Sequence, residues 1–147
     1  MTQEGKHRPS AVTSRRMKSV RQAGTAPELA VRLALSSRGL RYRLNFRSLP
    51  GSPDIANVRR RFAIFVHGCF WHRHQRCPYA TTPKTNVPFW SKKFAGNLER
   101  DRAKIDALKA RSFRVLVLWE CQTRDAALLG SILDHFFDES PQGPKSE

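Results

Sequence analysis

The sequence predicts a mixed α/β domain, a β-sheet flanked by helices. Two observations carry that expectation. Short continuous apolar runs at Phe62–Val66 and Val115–Trp119 read as strands buried on both faces. Segments with helical apolar spacing lie before, between and after them. At 147 residues the chain is long enough for one hydrophobic core.

Taken in order, Met1–Gly24 is polar and basic with little apolar periodicity, and reads as a flexible basic arm able to order on DNA. Thr25-Ala26-Pro27-Glu28 has the spacing of a capping box and opens a helix through Leu29, Leu33 and Ala34, which Gly39 ends. Apolar and basic residues alternate from Leu40 to Phe46, as on a half-buried strand, and Leu49–Pro53 forces a turn. A strand over Asp54–Val58 links tightly through Arg59-Arg60 to the strand at Phe62–Val66. After the dense segment His67–Cys77 comes a Pro- and Thr-rich loop to Pro88. A long amphipathic helix is expected over Phe89–Arg111, with Phe94, Leu98, Ile105 and Leu108 at near-helical spacing. A closing helix spans Asp125–Phe137, with Leu128, Leu129, Ile132, Leu133 and Phe136 turned inward. The expected organisation is an arm (1–24), one folded domain (25–138) and a disordered tail (139–147).

Lys and Arg number 27 against 12 Asp and Glu, a formal charge of +15, so the surface field favours a polyanion, and nucleic acid fits better than an anionic membrane. No apolar run approaches the roughly 20 residues that span a bilayer, and the N-terminus lacks a secretory apolar stretch. A cytoplasmic, nucleoid-associated protein is expected. Three cysteines argue for metal or thiol chemistry over a disulfide framework.

Cys69 and Cys77 share one segment with several histidines, and Cys121 follows a buried strand, so a fold can gather a Cys3His zinc site. Spacing alone leaves His67, His72 and His74 all open as the fourth ligand. Two histidines then remain for proton transfer, since imidazole titrates nearest neutrality. Asp54, after a proline at a strand start, suits either Mg2+ or an Asx-type turn. Glu28 has a sufficient role as a cap unless the helix start lies near Asp54. Phe70, Trp71 and Trp90 are either core aromatics or wedges between base pairs, with exposure favoured for Trp71 among its polar neighbours.

Gly51-Ser52-Pro53-Asp54, His67-Gly68-Cys69-Phe70-Trp71-His72, Asn97-Leu98-Glu99-Arg100-Asp101 and Trp119-Glu120-Cys121 resemble, in order and spacing, the very short patch repair (Vsr) DNA mismatch endonucleases. Ser14, Met17 and Val20 ahead of Thr25 and Glu28 extend the likeness, which spans about residues 13 to 137. The resemblance implies a restriction-endonuclease-like fold that nicks double-stranded DNA beside the thymine of a T:G mismatch, the lesion left by deaminated 5-methylcytosine. It implies Asp54 and the Val66 main-chain oxygen on a catalytic Mg2+, with Glu28 acting through water on the metal. His72 would position or deprotonate the attacking water and His67 would assist at the phosphate. Cys69, His74, Cys77 and Cys121 would bind a structural Zn2+. Phe70, Trp71 and Trp90 match the aromatic wedge, Met17 enters from the other groove, and Lys93 and Asn97 fall among the DNA contacts.

Three departures accompany the likeness. Val66 stands where many relatives carry Thr, but a main-chain carbonyl serves equally well there. Gln75-Arg76 adds a residue between His74 and Cys77, which predicts a shifted zinc loop. The Glu-x-Lys of restriction-type nucleases is absent from the third strand, where His67 takes about that place. An asymmetric mismatch asks for no two-fold symmetry, so a monomer is expected, with mismatch-repair proteins as further partners. The competing readings are a zinc-stabilised DNA-binding protein without catalysis and a related nuclease for undamaged or branched DNA.

Overall fold

The computed structural model describes residues 25–138; the N-terminal arm with Met17, and the tail, lie outside them. Helix α1 (Ala26–Ser37) begins where the sequence places it: the extended Thr25 accepts the Glu28 N–H on its side chain, and Pro27 sits in the first turn. It ends at Gly39, φ 68°, where the Leu40 and Gly39 N–H groups bond the Leu35 and Ser36 carbonyls. Packing selects one face of this helix. Val31 and Leu35 are fully buried, whereas Leu29 and Leu33 are 46% and 73% exposed. Position 33 lies about half a turn away from 31 and 35, so a helix that seats the latter pair must leave it outside.

Strand β1 is only Arg43–Leu44, shorter than the expected 40–46, because Asn45 turns left-handed at φ 46° and breaks the extended run. Strands β2 (Ile55–Asn57) and β3 (Phe62–His67) form an antiparallel pair. Helix α2 (Val87–Ala110) starts earlier than predicted, since Pro88 sits in its first turn, where a missing N–H costs nothing. Strand β4 (Arg114–Trp119) lies parallel to β3, and the unanticipated short helix α3 (Glu120–Thr123) leads to α4 (Ala126–Asp138). The sheet order is β1-β2-β3-β4, antiparallel except for its last pair.

Strand alternation separates two cores. Ile55, Phe62, Ile64 and Leu118 pack against Val31 and Leu35 of α1 and Leu129 and Leu133 of α4. Ala56, Ala63 and Phe65 face the other way, toward Leu108 and Phe113. Within the helices, Leu98 and Leu128, both expected inward, are 49% and 43% exposed. No helix among the described residues is long and apolar enough to cross a membrane.

Candidate active site and metal centre

His67 ends β3 and, by alternation, shares the α2 face with Ala63 and Phe65. Asp54 immediately precedes β2 and lies in the same neighbourhood, because the register pairs Ile55 with Ile64. Its Oδ2 accepts the Val66 N–H at 2.7 Å, and the fully buried Pro53 fixes the chain beside it. A cleft of about 760 Å³ opens here, lined by Glu28, Asp54, Val66, His67, His72 and Asp101 among others. Glu28 is 5% exposed and lies 3.6 Å from Arg32. Thr25 and Glu28 at the helix start thus line the same cleft as Asp54.

The His67 and His72 rings stack with centroids 3.9 Å apart. Asp101 of α2 serves both, with Oδ2 2.6 Å from His72 Nδ1 and Oδ1 3.9 Å from His67 Nε2. Burial first, and then the neighbouring His72, push the His67 pKa down to about 4. Burial works to raise Asp101, but the hydrogen bond and charge of His72 outweigh it, and the carboxyl sits below its ordinary value. Asp54 goes the other way: burial raises it, the Val66 N–H opposes, and the nearby Glu28 adds to the rise. Two crowded carboxylates in a partly dry cleft favour a bound cation.

Beside this cleft, Cys69, His74, Cys77 and Cys121 converge with their ligand atoms all within 4.8 Å of one another. Cys121 Sγ lies 3.4 Å from His74 Nδ1, and Cys69 Sγ accepts the Cys121 N–H. Burial pushes the Cys69 thiol up to about 12, so a cation is needed to hold it as thiolate. Three sulfurs and one imidazole suit a tetrahedral metal such as zinc. Of the three candidate histidines, only His74 joins this cluster. Arg73 and Arg76, each immediately before a residue of the cluster, take left-handed φ values of 53° and 57°.

Phe70, Trp71, Trp90 and Phe94 form an aromatic cluster at the cleft edge, with Phe70 5.0 to 5.5 Å from each of the others. Trp71 is partly exposed and lines the cleft, whereas Trp90 is 9% exposed and backs the cluster as packing. Arg73 lies over the Phe94 ring at 4.3 Å and ties the loop through the Ala80 and Thr81 carbonyls. Asn97 donates to the Trp71 carbonyl at 3.0 Å, so it holds the aromatic segment in place. Lys93 is partly buried on α2.

Asp101 belongs to the Asn97–Asp101 motif, whose sequence alone assigns it no role. The available signal was its position four residues after Asn97, on one face of α2. Trp119 was missed as well; it stacks on His74 at 4.2 Å and meets His67 edge-on at 5.3 Å.

An acid-and-imidazole cleft at the ends of neighbouring strands, in a mixed sheet of the restriction-endonuclease type, defines the molecule as a DNA endonuclease. Residues 6–78 match the family model described as DNA mismatch endonuclease Vsr. The chain is 44% identical over 124 residues to the type II nicking enzyme V.XorIIP of Xanthomonas oryzae pv. oryzae, covering 84% of this chain and 90% of the relative. It is 40% identical over 114 residues to the DNA mismatch endonuclease Vsr of Escherichia coli (strain K12), covering 78% and 72%. With the type II nicking enzyme V.NaeI of Lentzea aerocolonigenes it shares 40% identity, over 90% of this chain and 85% of the relative. The chain belongs to the Vsr family of DNA mismatch endonucleases.

Proposed function

We propose that the protein nicks one strand of double-stranded DNA beside the thymine of a T:G mismatch, in a Mg2+-dependent hydrolysis that starts repair of deaminated 5-methylcytosine. The observation that carries this reading is the meeting of Asp54, His67, His72 and Asp101 in one cleft bordered by partly exposed Trp71. A binding protein without catalysis has no use for stacked imidazoles on a shared buried carboxylate. The nicking enzymes among the relatives, and the +15 charge, support DNA as substrate and single-strand cleavage as outcome.

Asp54, the Val66 main-chain oxygen and, through water, Glu28 are the residues that would hold Mg2+. When bound there, the cation neutralises charge on the scissile phosphate. Asp101 accepts a hydrogen bond from His72 Nδ1–H, which leaves Nε2 free to take a proton from the attacking water. Neutral, buried His67 hydrogen-bonds the phosphate. Cys69, His74, Cys77 and Cys121 hold Zn2+ and thereby fix the loop carrying His72. Trp71 and Phe70 open the weakly paired step with Trp90 packed behind them, Met17 of the arm supports it from the other groove, and Lys93 and Asn97 border the same surface. One asymmetric lesion requires one copy of the chain, and mismatch-repair proteins take over the nicked product.

The test is nicking of labelled T:G and T:A duplexes with Mg2+. The reading expects a strand-specific nick at T:G and at least about tenfold slower cutting of the matched duplex. Equal cutting of both would transfer the assignment to a nuclease for undamaged DNA, and cutting of neither would support a binding protein.

A further inference from the structure

Helix α2 sends three polar residues toward the cleft region at helical spacing, Asn97, Asp101 and Lys104. Lys104 lines the cleft, and its stem lies against Gly51 so closely that a Cβ there would fall 2.5 Å from Lys104 Cγ and 2.7 Å from its Cβ and Cδ. Gly51, at φ 76°, thus clears the path by which this side chain reaches the cleft. Two cations line the cavity. Arg124 is paired with Glu120 at 2.9 Å and lies over the Tyr79 ring, whereas Lys104 has no ion pair within 4.0 Å among the described residues. Its charge nonetheless acts on Asp54, His67 and Asp101.

We propose that Lys104 is a further catalytic residue, whose ammonium contacts the phosphate being cleaved and stabilises the charge that builds up on it. This rests on the nuclease reading above. The chemistry follows from the inventory of the cleft: Glu28, Asp54, Asp101 and Glu120 repel a phosphate, Arg124 is engaged, and β3 carries no lysine, His67 standing at its end. A helix-borne lysine held over a glycine supplies the missing positive group. Its three donors and compact charge suit a non-bridging phosphate oxygen.

The experiment compares the full chain with Lys104→Met and Lys104→Arg, zinc-loaded, in single-turnover nicking of a T:G duplex with Mg2+. Affinity for the same duplex is measured without added Mg2+. Lys104→Met should lower the rate at saturating DNA by about tenfold to hundredfold while Kd changes less than about threefold, and Lys104→Arg should recover much of the rate. Lys104→Gln carries the same expectation if the Met variant does not hold its fold. A rate within about twofold of the parent for the neutral variant, or a loss confined to affinity, overturns the inference while leaving the nuclease reading intact. A parent protein that does not nick overturns both.

Discussion

The indole of Trp119 lies face to face with the imidazole of His74, centroids 4.2 Å and planes 9° apart, and its edge meets His67. One ring thus joins the Cys3His cluster to the catalytic cleft. Removal of the metal by a chelator should release Cys69, His74 and Cys77, lower the melting temperature and reduce nicking at least about a hundredfold, with recovery on adding Zn2+. Metal content, thermal melting and single-turnover rate check this together. Full activity in metal-free protein would show the cluster to be dispensable.

Asp101→Asn keeps the shape of the side chain but replaces an acceptor-only carboxylate with an amide. The 2.6 Å contact to His72 Nδ1 then no longer selects one tautomer. Nicking should fall about a hundredfold or more at unchanged DNA affinity. A variant with the parent rate would remove Asp101 from the mechanism.

His67 also predicts a pH dependence. Its pKa lies at about 4 in the folded protein against 6.5 as the ordinary value, so between these pH values the unfolded chain binds the extra proton. Stability from keeping this ring neutral is complete above 6.5 and is lost as pH falls toward 4, by at most about 3 kcal/mol. Denaturant titrations of the parent and His67→Phe should diverge over that window, which separates this term from the opposite contribution of Asp54. Parallel stability curves, or an imidazole titrating near 6.5, would contradict it.

Trp71 sits between the cleft and the aromatic cluster, with Trp90 behind it at 6.0 Å. Trp71→Ala should cut the T:G to T:A rate ratio by about tenfold while leaving the zinc content unchanged. A preserved ratio would assign selectivity to other contacts.

How far the sequence was legible follows from which interactions are local. Thr25, Pro27 and Gly39 mark the ends of α1 because caps act through the nearest backbone groups. Which face of the same helix is buried was not legible, since tertiary packing selected Val31 and Leu35 over Leu29 and Leu33. β1 shrank because one left-handed residue, Asn45, outweighed an alternating pattern. The cysteines of the Cys3His cluster stood out by their spacing, but the choice of His74 over two neighbours depended on the loop's path. Asp101 stayed silent because its partner His72 is 29 residues away, and Lys104 because its reach depends on Gly51 from another loop.

The nuclease reading requires that chemistry occur in the cleft that Asp54 shares with the stacked His67 and His72. Asp54→Asn, assayed for single-turnover nicking of a T:G duplex with Mg2+ beside its zinc content and DNA affinity, tests this most directly. The expected result is a loss of at least about a thousandfold in rate with both other quantities retained. A variant that nicks within about tenfold of the parent would place the chemistry elsewhere in the molecule.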